Sequence, residues 1–373
     1  MMKLFHKKEI VSASSLSILA WRRFRKDRLG FASLLLIALI TVIAMAGYLI
    51  TPDSTPFAND QHLELGTKRP GFSVMMLVTG PKNSPEEPNF FSKMLFGAKK
   101  SYSEIPISSW STDGRKIIAV EYTGIPGETG KEVTIITKPG DEVKQVKRTY
   151  WLGTDRYGRD LLSMLIIGSR VSLAVGFISV LISLLIGITI GSLGGFFRGW
   201  VDDVVVWFIN VVWSIPTLLL VIAITFALGR GFWQVFVAVG LTMWVEVARV
   251  CRGQILSIRE KEYVEATKAL GFSNFRTIYR HILPNVMSPV IVISAGNFAS
   301  AILIEAGLSF LGIGVQPPMP SWGSMIRDNY GYIILDSAYL AILPGLAIML
   351  LVLAFMLVGN ALRDALDVKT AAH

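Results

Sequence analysis

Cysteine occurs once in 373 residues, at Cys251, which excludes an internal disulfide framework and a cysteine-based metal site. Histidine is nearly as scarce, and four widely spaced imidazoles offer no ligand set for a transition metal. No metal and no cofactor bound by this chain is expected. Charge is thin as well: 17% of residues are Asp, Glu, Lys or Arg, against 52% hydrophobic. A soluble domain needs a charged surface that this composition does not supply. A phosphate-binding loop is also lacking. The nearest imitation, Gly127-Glu128-Thr129-Gly130-Lys131, has no glycine at the required upstream position and is followed by Glu132 where Ser or Thr must stand. The chain is therefore not expected to be an enzyme, and no catalytic residue is assigned.

What the sequence does have is long apolar runs. Leu29–Ile50 follows the basic cluster Arg22, Arg23, Arg25, Lys26 and Arg28. As a helix it would extend about 33 Å, enough to cross a hydrocarbon core. A signal peptide's apolar stretch is shorter and precedes small residues at a cleavage site, so this run is expected to stay as an anchor. Residues 51–150 then hold most of the Pro, Ser, Asn and paired charges. Strand-like runs at Lys116–Tyr122 and Lys131–Lys138 stand between Gly and Pro turns, which predicts a β-rich extracytoplasmic insertion. Recurrent β-branched and aromatic residues argue against a disordered linker. Apolar runs return at Val171–Phe196, Val204–Leu228, Phe232–Val250, Val286–Leu308 and Tyr339–Leu362. Six spans bring both termini to one side.

The net charge of +9 has two readings, a nucleic-acid face or basic loops held in the cytoplasm. The placement of the basic residues favours the second. The N-terminal cluster, Arg198, then Arg249, Arg252, Arg259, Lys261, Lys268, Arg276 and Arg280, and finally Arg363 and Lys369 all fall on one side of the expected spans. The short loops of the other side hold only Arg230 and Arg327. No nucleic-acid partner is expected; the lipid bilayer is.

The loop 251–284 is too polar to cross and too regular for a plain connector. Ser257–Leu270 reads as a helix of strong formers ended by Gly271. Tyr263, Ala266 and Leu270 line a narrow apolar face with Glu262, Glu265 and Lys268 around it. Ser273 is placed to cap a second short helix through Phe275, Ile278 and Tyr279 that stops at Leu283-Pro284. Two such helices suit insertion into a partner's groove. Within the spans, Glu246 and Glu305 are candidates for facing a pathway, because a charge turned to lipid is costly; helix packing or interfacial placement is the alternative for each. Pro216 and Pro344 are expected to kink their spans.

Glu265-Ala266-Thr267, then Gly271, then Leu283-Pro284 resemble the "EAA" loop of ABC importer permeases: EAA, three residues, Gly, nine residues, Ile, one residue, Leu-Pro. Thr267 replaces the second alanine and His281 the isoleucine. The His-Ile-Leu-Pro-Asn form is similar to the oligopeptide/dipeptide (peptide/nickel) branch, in its C-type permease subunit. Gly153-Thr154-Asp155, Gly158-Arg159-Asp160 and Gly168 through Leu173 resemble that branch's entry to the second span, with Met164 where arginine is more usual. Glu305, Leu308 through Gly312 and Pro320-Ser321-Trp322-Gly323 resemble the end of the fifth span and the loop after it. Asp155 or Thr154 is placed to cap the helix beginning near Leu161, and Trp322 suits an interface.

The resemblance implies an all-α membrane protein with six transmembrane helices of the ABC importer permease type and a β-rich extracytoplasmic insertion after the first. Its parts would be a cytoplasmic N-terminus (1–28), the first helix (29–50), the insertion (51–150), the permease core (151–364) and a cytoplasmic tail (365–373). It implies a paired permease subunit, two ATP-binding subunits that hold ATP and Mg, an extracytoplasmic substrate-binding protein and a peptide substrate, in a bacterial cytoplasmic membrane. It also implies that Glu265, Ala266 and Gly271 are contact and hinge positions of the ATPase-coupling loop. Nickel, glutathione or antimicrobial peptides are alternative cargoes. An ion-coupled secondary transporter or channel is the rival class, and neither the repeats nor the midplane charges it would need are evident.

Overall fold

The computed structural model describes residues 16–81, 89–113, 116–125, 127–136, 141–229 and 231–367. Arg230 and Lys369 lie outside the described residues, as do parts of the two expected terminal segments. The chain opens with α1 (Leu16–Lys26) and α2 (Arg28–Ile50). Asp27 separates them and caps α2, its Oδ1 accepting from the backbone N–H of Leu29 and Gly30 at 3.0 Å each.

After α2 comes a five-stranded antiparallel sheet in the order β4-β3-β2-β1-β5. Its strands are β1 (Phe72–Pro81), β2 (Ser103–Asp113), β3 (Lys116–Glu121), β4 (Glu132–Ile136) and β5 (Asp141–Tyr150), with α3 (Phe90–Phe96) between β1 and β2. The two strands expected from sequence are β3 and β4. The other three alternate less cleanly between apolar and polar. Two small cores hold the sheet, one of Leu65, Val74, Met76 and Tyr150, the other of Leu77, Ile107, Ile117 and Ala119.

The remaining helices are α4 (Leu161–Phe197), α5 (Gly199–Trp213), α6 (Thr217–Leu228), α7 (Phe232–Ile258), α8 (Glu262–Ala269), α9 (Asn274–Arg276), α10 (Leu283–Phe310), α11 (Trp322–Asn329) and α12 (Tyr339–Leu366). Five are long and apolar enough to cross a membrane: α2, α4, α7, the run into α10, and α12. The expected span Val204–Leu228 is broken. α5 and α6 meet at 91° across Ser214-Ile215-Pro216, and counting the pair as one span gives six. Pro216 cannot donate to the preceding turn, and its ring obstructs that turn, so the helix restarts there. Pro344, in the second turn of α12, leaves its helix unbroken.

α4 and α7 form the tightest pair. Gly187, Gly191 and Gly195 recur every fourth residue along α4, and a Cβ at each would collide with α7 at Val247, Ala248 and Ile255. Small residues at this spacing let two backbones approach closely, which in lipid is a main source of helix association.

The expected cap of α4 is corrected. Asp160, not Asp155 or Thr154, accepts from the Ser163 N–H at 2.8 Å. Asp155 instead grips Arg159 (2.6 and 2.8 Å), and Thr154 ties the insertion to the core by accepting from the Lys68 N–H at 2.8 Å and donating to the Leu65 carbonyl. Trp322 is likewise not at an interface. It is buried, and its indole N–H donates to the Leu165 carbonyl at 2.9 Å.

These contacts sort the ends of the bundle. The Tyr339 hydroxyl donates to the Lys68 carbonyl at 2.7 Å, and Arg69 pairs with Asp336, so the start of α12 lies beside the insertion. At the opposite pole Arg198 pairs with Glu260, and Arg252 grips Asp202 at 2.5 and 2.6 Å. Phe298 stacks on Phe355 at 4.9 Å and Gly359 lies against Ala295, so α10 runs antiparallel to α12. The end of α12 and, through the Arg23 bond to the Asp367 carbonyl, α1 therefore share the pole of the 251–284 loop.

Candidate functional site

The loop connecting α7 to α10 is more ordered than its polarity predicts, and it differs from expectation in three ways. α7 runs on to Ile258, so Cys251–Ile258 are its last turns and not loop. The expected helix Ser257–Leu270 is interrupted at Arg259–Lys261, and α8 starts at Glu262. Arg259 donates to the Phe196 carbonyl and Glu260 pairs with Arg198, so this corner is clamped to the α4–α5 corner. The second helix does not stop at Leu283-Pro284. It continues from Asn274 into α10 through a π-helical turn, Thr277–Ile282. The wider turn falls where Pro284 has no N–H for the ordinary helical ladder, which is the position at which the ladder must be re-set.

α8 ends as its sequence predicts. Gly271 has φ +76, the left-handed region that glycine adopts without a Cβ penalty. Its N–H donates to the Lys268 carbonyl at 2.9 Å, and the Phe272 N–H donates to the Thr267 carbonyl at 3.0 Å. Those two bonds make a Schellman cap. Ser273 then caps the next helix, accepting from the Arg276 N–H at 3.4 Å.

The buried side of α8 is Val264 and Thr267. Thr267 Oγ1 donates to the Val264 carbonyl at 2.7 Å and lies 3.2 Å from Thr277 Oγ1, which joins the two short helices. The opposite side carries Glu262, Tyr263, Glu265, Ala266 and Leu270, all exposed. Leu270 is 71% and Phe275 78% exposed, and Phe275 stacks in parallel with exposed Tyr279 at 6.0 Å. An apolar, aromatic patch thus stands off the pole of the bundle. Glu262 and Glu265 sit in the first turn of α8, where the helix dipole favours negative charge.

His281 faces the other way. Its ring stacks on Phe272 at 5.5 Å, and the Arg276 guanidinium lies over the Phe272 ring at 4.2 Å. Asn285 donates to the His281 carbonyl at 2.8 Å and to the Tyr263 hydroxyl at 3.3 Å. Leu283 is half-buried and Pro284 exposed at the entry to α10. The loop is therefore one folded unit of α8, the cap and the π turn. Thr277, Asn285 and the Phe272 stack have no signature in the sequence, since each is defined by a partner several residues away.

The two intramembrane carboxylates are not brought together. Glu246, midway along α7, is exposed on a cleft of about 340 Å³ lined by Trp213, Ile215, Thr217, Thr242, Ser300 and Leu303 among others. The cleft lies at the α5–α6 bend, and Arg249, one turn along α7, covers the Trp213 ring at 3.7 Å. Glu305 is fully enclosed. Its Oε1 accepts from Ser309 Oγ at 2.7 Å, and Ser309 Oγ accepts from the Val315 N–H at 3.2 Å, which fixes the end of α10.

A third group lies in the insertion, where Asp60, His62 and Glu104 offer atoms close enough to share a cation. Two basic side chains already occupy that position. Lys100 bridges Asp60 and Glu104, and Arg148 reaches Glu104 at 2.6 Å and Asp60 at 3.8 Å. Burial works against the Asp60 charge, but His62 and Lys100 outweigh it and hold the carboxyl well below the usual range. The group is a paired ionic knot between the post-α2 segment, β2 and β5.

Comparison with known proteins agrees with this architecture. Residues 183–371 match the family of binding-protein-dependent transport system inner membrane components, and residues 15–65 match the N-terminal TM domain of oligopeptide transport permease C. The glutathione transport system permease protein GsiD of Pectobacterium atrosepticum is 40% identical over 220 residues, 59% of this chain and 73% of that one. The dipeptide transport system permease protein DppC of Alkalihalophilus pseudofirmus is 38% identical over 233 residues, 62% and 76% respectively. A chain of the methionine ABC transporter MetNI, solved in inward-facing conformations, has a TM-score of 0.47 and 20% identity, covering 56% of this chain and 98% of that one. The matched segments bracket α2, the α7–α10 loop and α12, and on them this chain belongs to the family of binding-protein-dependent transport system inner membrane components.

Proposed function

We propose that this chain forms half of the translocation pathway of an ATP-driven peptide importer, taking di- or oligopeptides across a bacterial cytoplasmic membrane. The observation that carries the reading is the folded loop 262–284. It presents Leu270, Phe275 and Tyr279 to solvent beside two glutamates, on a unit braced from behind by Thr267–Thr277 and the Arg198–Glu260 clamp. An exposed apolar patch rimmed by charge marks a protein contact. The partner it suits is an ATP-binding subunit, which would hold ATP and Mg. A second such subunit, a paired permease and an extracytoplasmic binding protein complete the assembly.

The poles support one orientation. The loop, α1 and the end of α12 share one pole with most of the arginines outside the insertion, which by the positive-inside rule is the cytoplasmic one. Glu246 and its cleft then line the pathway near mid-membrane, and closure of the ATP-binding subunits would move α8 and, through the π turn, α10. Cargo rests on relatives named for dipeptides, di/tripeptides, oligopeptides and glutathione. Glutathione is itself a small peptide.

Uptake of a labelled peptide by cells depleted of ATP, with the ion gradient maintained, tests this reading. Uptake should stop. Continued uptake would make the chain an ion-coupled transporter and overturn it.

A further inference from the structure

α3 (Phe90–Phe96, FFSKMLF) shows Phe90, Phe91, Leu95 and Phe96 to the exterior, with Phe91 68% and Phe96 70% exposed. A soluble insertion gains nothing from four large apolar side chains on about two turns of helix. The depth of α3 accounts for them. Arg170 Nη2 donates to the Met94 carbonyl at 2.6 Å and to Met45 at 3.0 Å, Nη1 to Leu95 at 3.1 Å, and Nε to Ala44 at 2.7 Å. The end of α3 is therefore level with Ala44 and Met45 of α2. Met45 precedes the end of α2 by five residues, about 8 Å along a helix. Arg170 lies about 14 Å down α4 from Leu161, at the same depth. Since Leu29–Ile50 only just spans the hydrocarbon, α3 does not stop above the membrane.

The rest of the local chemistry fits that depth. Carbonyls at a helix C-terminus have no intrahelical donors and are costly to leave unpaired in hydrocarbon. Arg170 satisfies two of them, and its guanidinium lies 4.7 Å from the Tyr48 ring. The Gly97 N–H closes the helix on Lys93, and the Ala98 N–H donates to the Ser54 carbonyl at 2.9 Å, so the chain turns back up immediately. The apolar face of α3 continues that of α2, where Leu35, Leu39, Val42, Met45 and Ile50 are also exposed. That flank, where α2 packs on α4 and α12, is distinct from the cleft built by α5, α6, α7 and α10.

We propose that α3 is a membrane-dipping anchor, whose phenylalanines insert into the acyl chains of the outer leaflet and pin the β insertion to the lipid surface. The partner is the bilayer, not a protein. Short helices with Phe and Leu on one face bind at this boundary through buried apolar area.

The test uses the full chain in its assembled complex, in vesicles of phosphatidylethanolamine and phosphatidylglycerol. Nitroxides are placed by Phe91→Cys and Phe96→Cys in a Cys251→Ala background, with Val146→Cys, exposed on β5, as the aqueous reference. The ratio of collision with oxygen to collision with a water-soluble nickel chelate should be roughly tenfold higher at 91 and 96 than at 146. A ratio equal to that at 146 overturns the proposal, and so does shielding from both reagents, which would mean a protein covers α3. On the unsubstituted chain, a phosphatidylcholine with a photoreactive acyl chain should label the 90–96 peptide; absence of label there, with α2 labelled, is equally contrary.

Discussion

The hydroxyls of Thr267 and Thr277 meet at 3.2 Å in the interior of the α7–α10 loop, and through them α8 is fastened to the π turn that leads into α10. On the proposed function, this link would pass a displacement of α8 on to the membrane-crossing α10. Thr267 is the position at which the chain departs from the alanine of the EAA pattern, and the departure makes the link.

Thr267→Ala should leave the buried Thr277 hydroxyl without that partner and cost about 1 kcal/mol of stability. The double variant with Thr277→Ala should cost less than the sum of the single changes. A double-mutant cycle on thermal unfolding of the purified chain measures the coupling, and strict additivity would mean the contact carries no energy.

Gly271→Val places a β-branched residue at φ +76, where the penalty is about 1–2 kcal/mol and the Schellman cap weakens. No atom lies within 4 Å of the added Cβ, so the effect is conformational and not a clash. The subunit should insert and assemble, while peptide uptake falls well below ATP hydrolysis. Glu265→Lys, which reverses an exposed charge in the first turn of α8, should uncouple in the same way. Paired assays of uptake and hydrolysis on membranes read both.

The two intramembrane glutamates should part company. Glu246→Gln, on the open cleft, should lower uptake by roughly tenfold with stability changed by under about 0.5 kcal/mol. Glu305→Ala, which strands Ser309 in the interior, should instead destabilise the chain by about 2 kcal/mol. Unfolding curves beside uptake rates distinguish a pathway group from a packing group.

Acid should loosen the insertion. Asp60 is held below its ordinary value of 3.8, so its contribution is fully present above that value and is lost as pH falls towards the lower folded-state value. Protection of the β1–β5 amides from hydrogen exchange should drop below about pH 4. Asp60→Asn should remove that pH dependence and cost roughly 2 kcal/mol at pH 7.

Much of this was legible in the chain because membranes impose a simple code. Runs such as Leu29–Ile50 can be little else, and the Glu265, Gly271, Leu283-Pro284 spacing located the loop. The bend is half-legible: Pro216 marks it, but the 91° turn goes with α5 packing mainly on α4 while α6 packs on α7. The cap of α4 is ambiguous in the sequence because Asp155, Thr154 and Asp160 all stand close enough to Leu161 to serve. Only the pairing of Asp155 with Arg159 and of Thr154 with Lys68 leaves Asp160 for the task. Glu246 and Glu305 look alike in sequence, and their difference in exposure arises from helix rotation that no single chain pattern records.

The central claim is that the loop docks on an ATP-binding subunit through its exposed apolar face. Replacing Leu270, 71% exposed on that face, with a photoreactive benzoylphenylalanine and irradiating intact membranes tests it directly. The account predicts a crosslink from position 270 to an ATP-binding subunit, and none from Val146 in the insertion. Assembled, transport-active complexes that give no such crosslink at 270, or give it equally at 146, would contradict the claim.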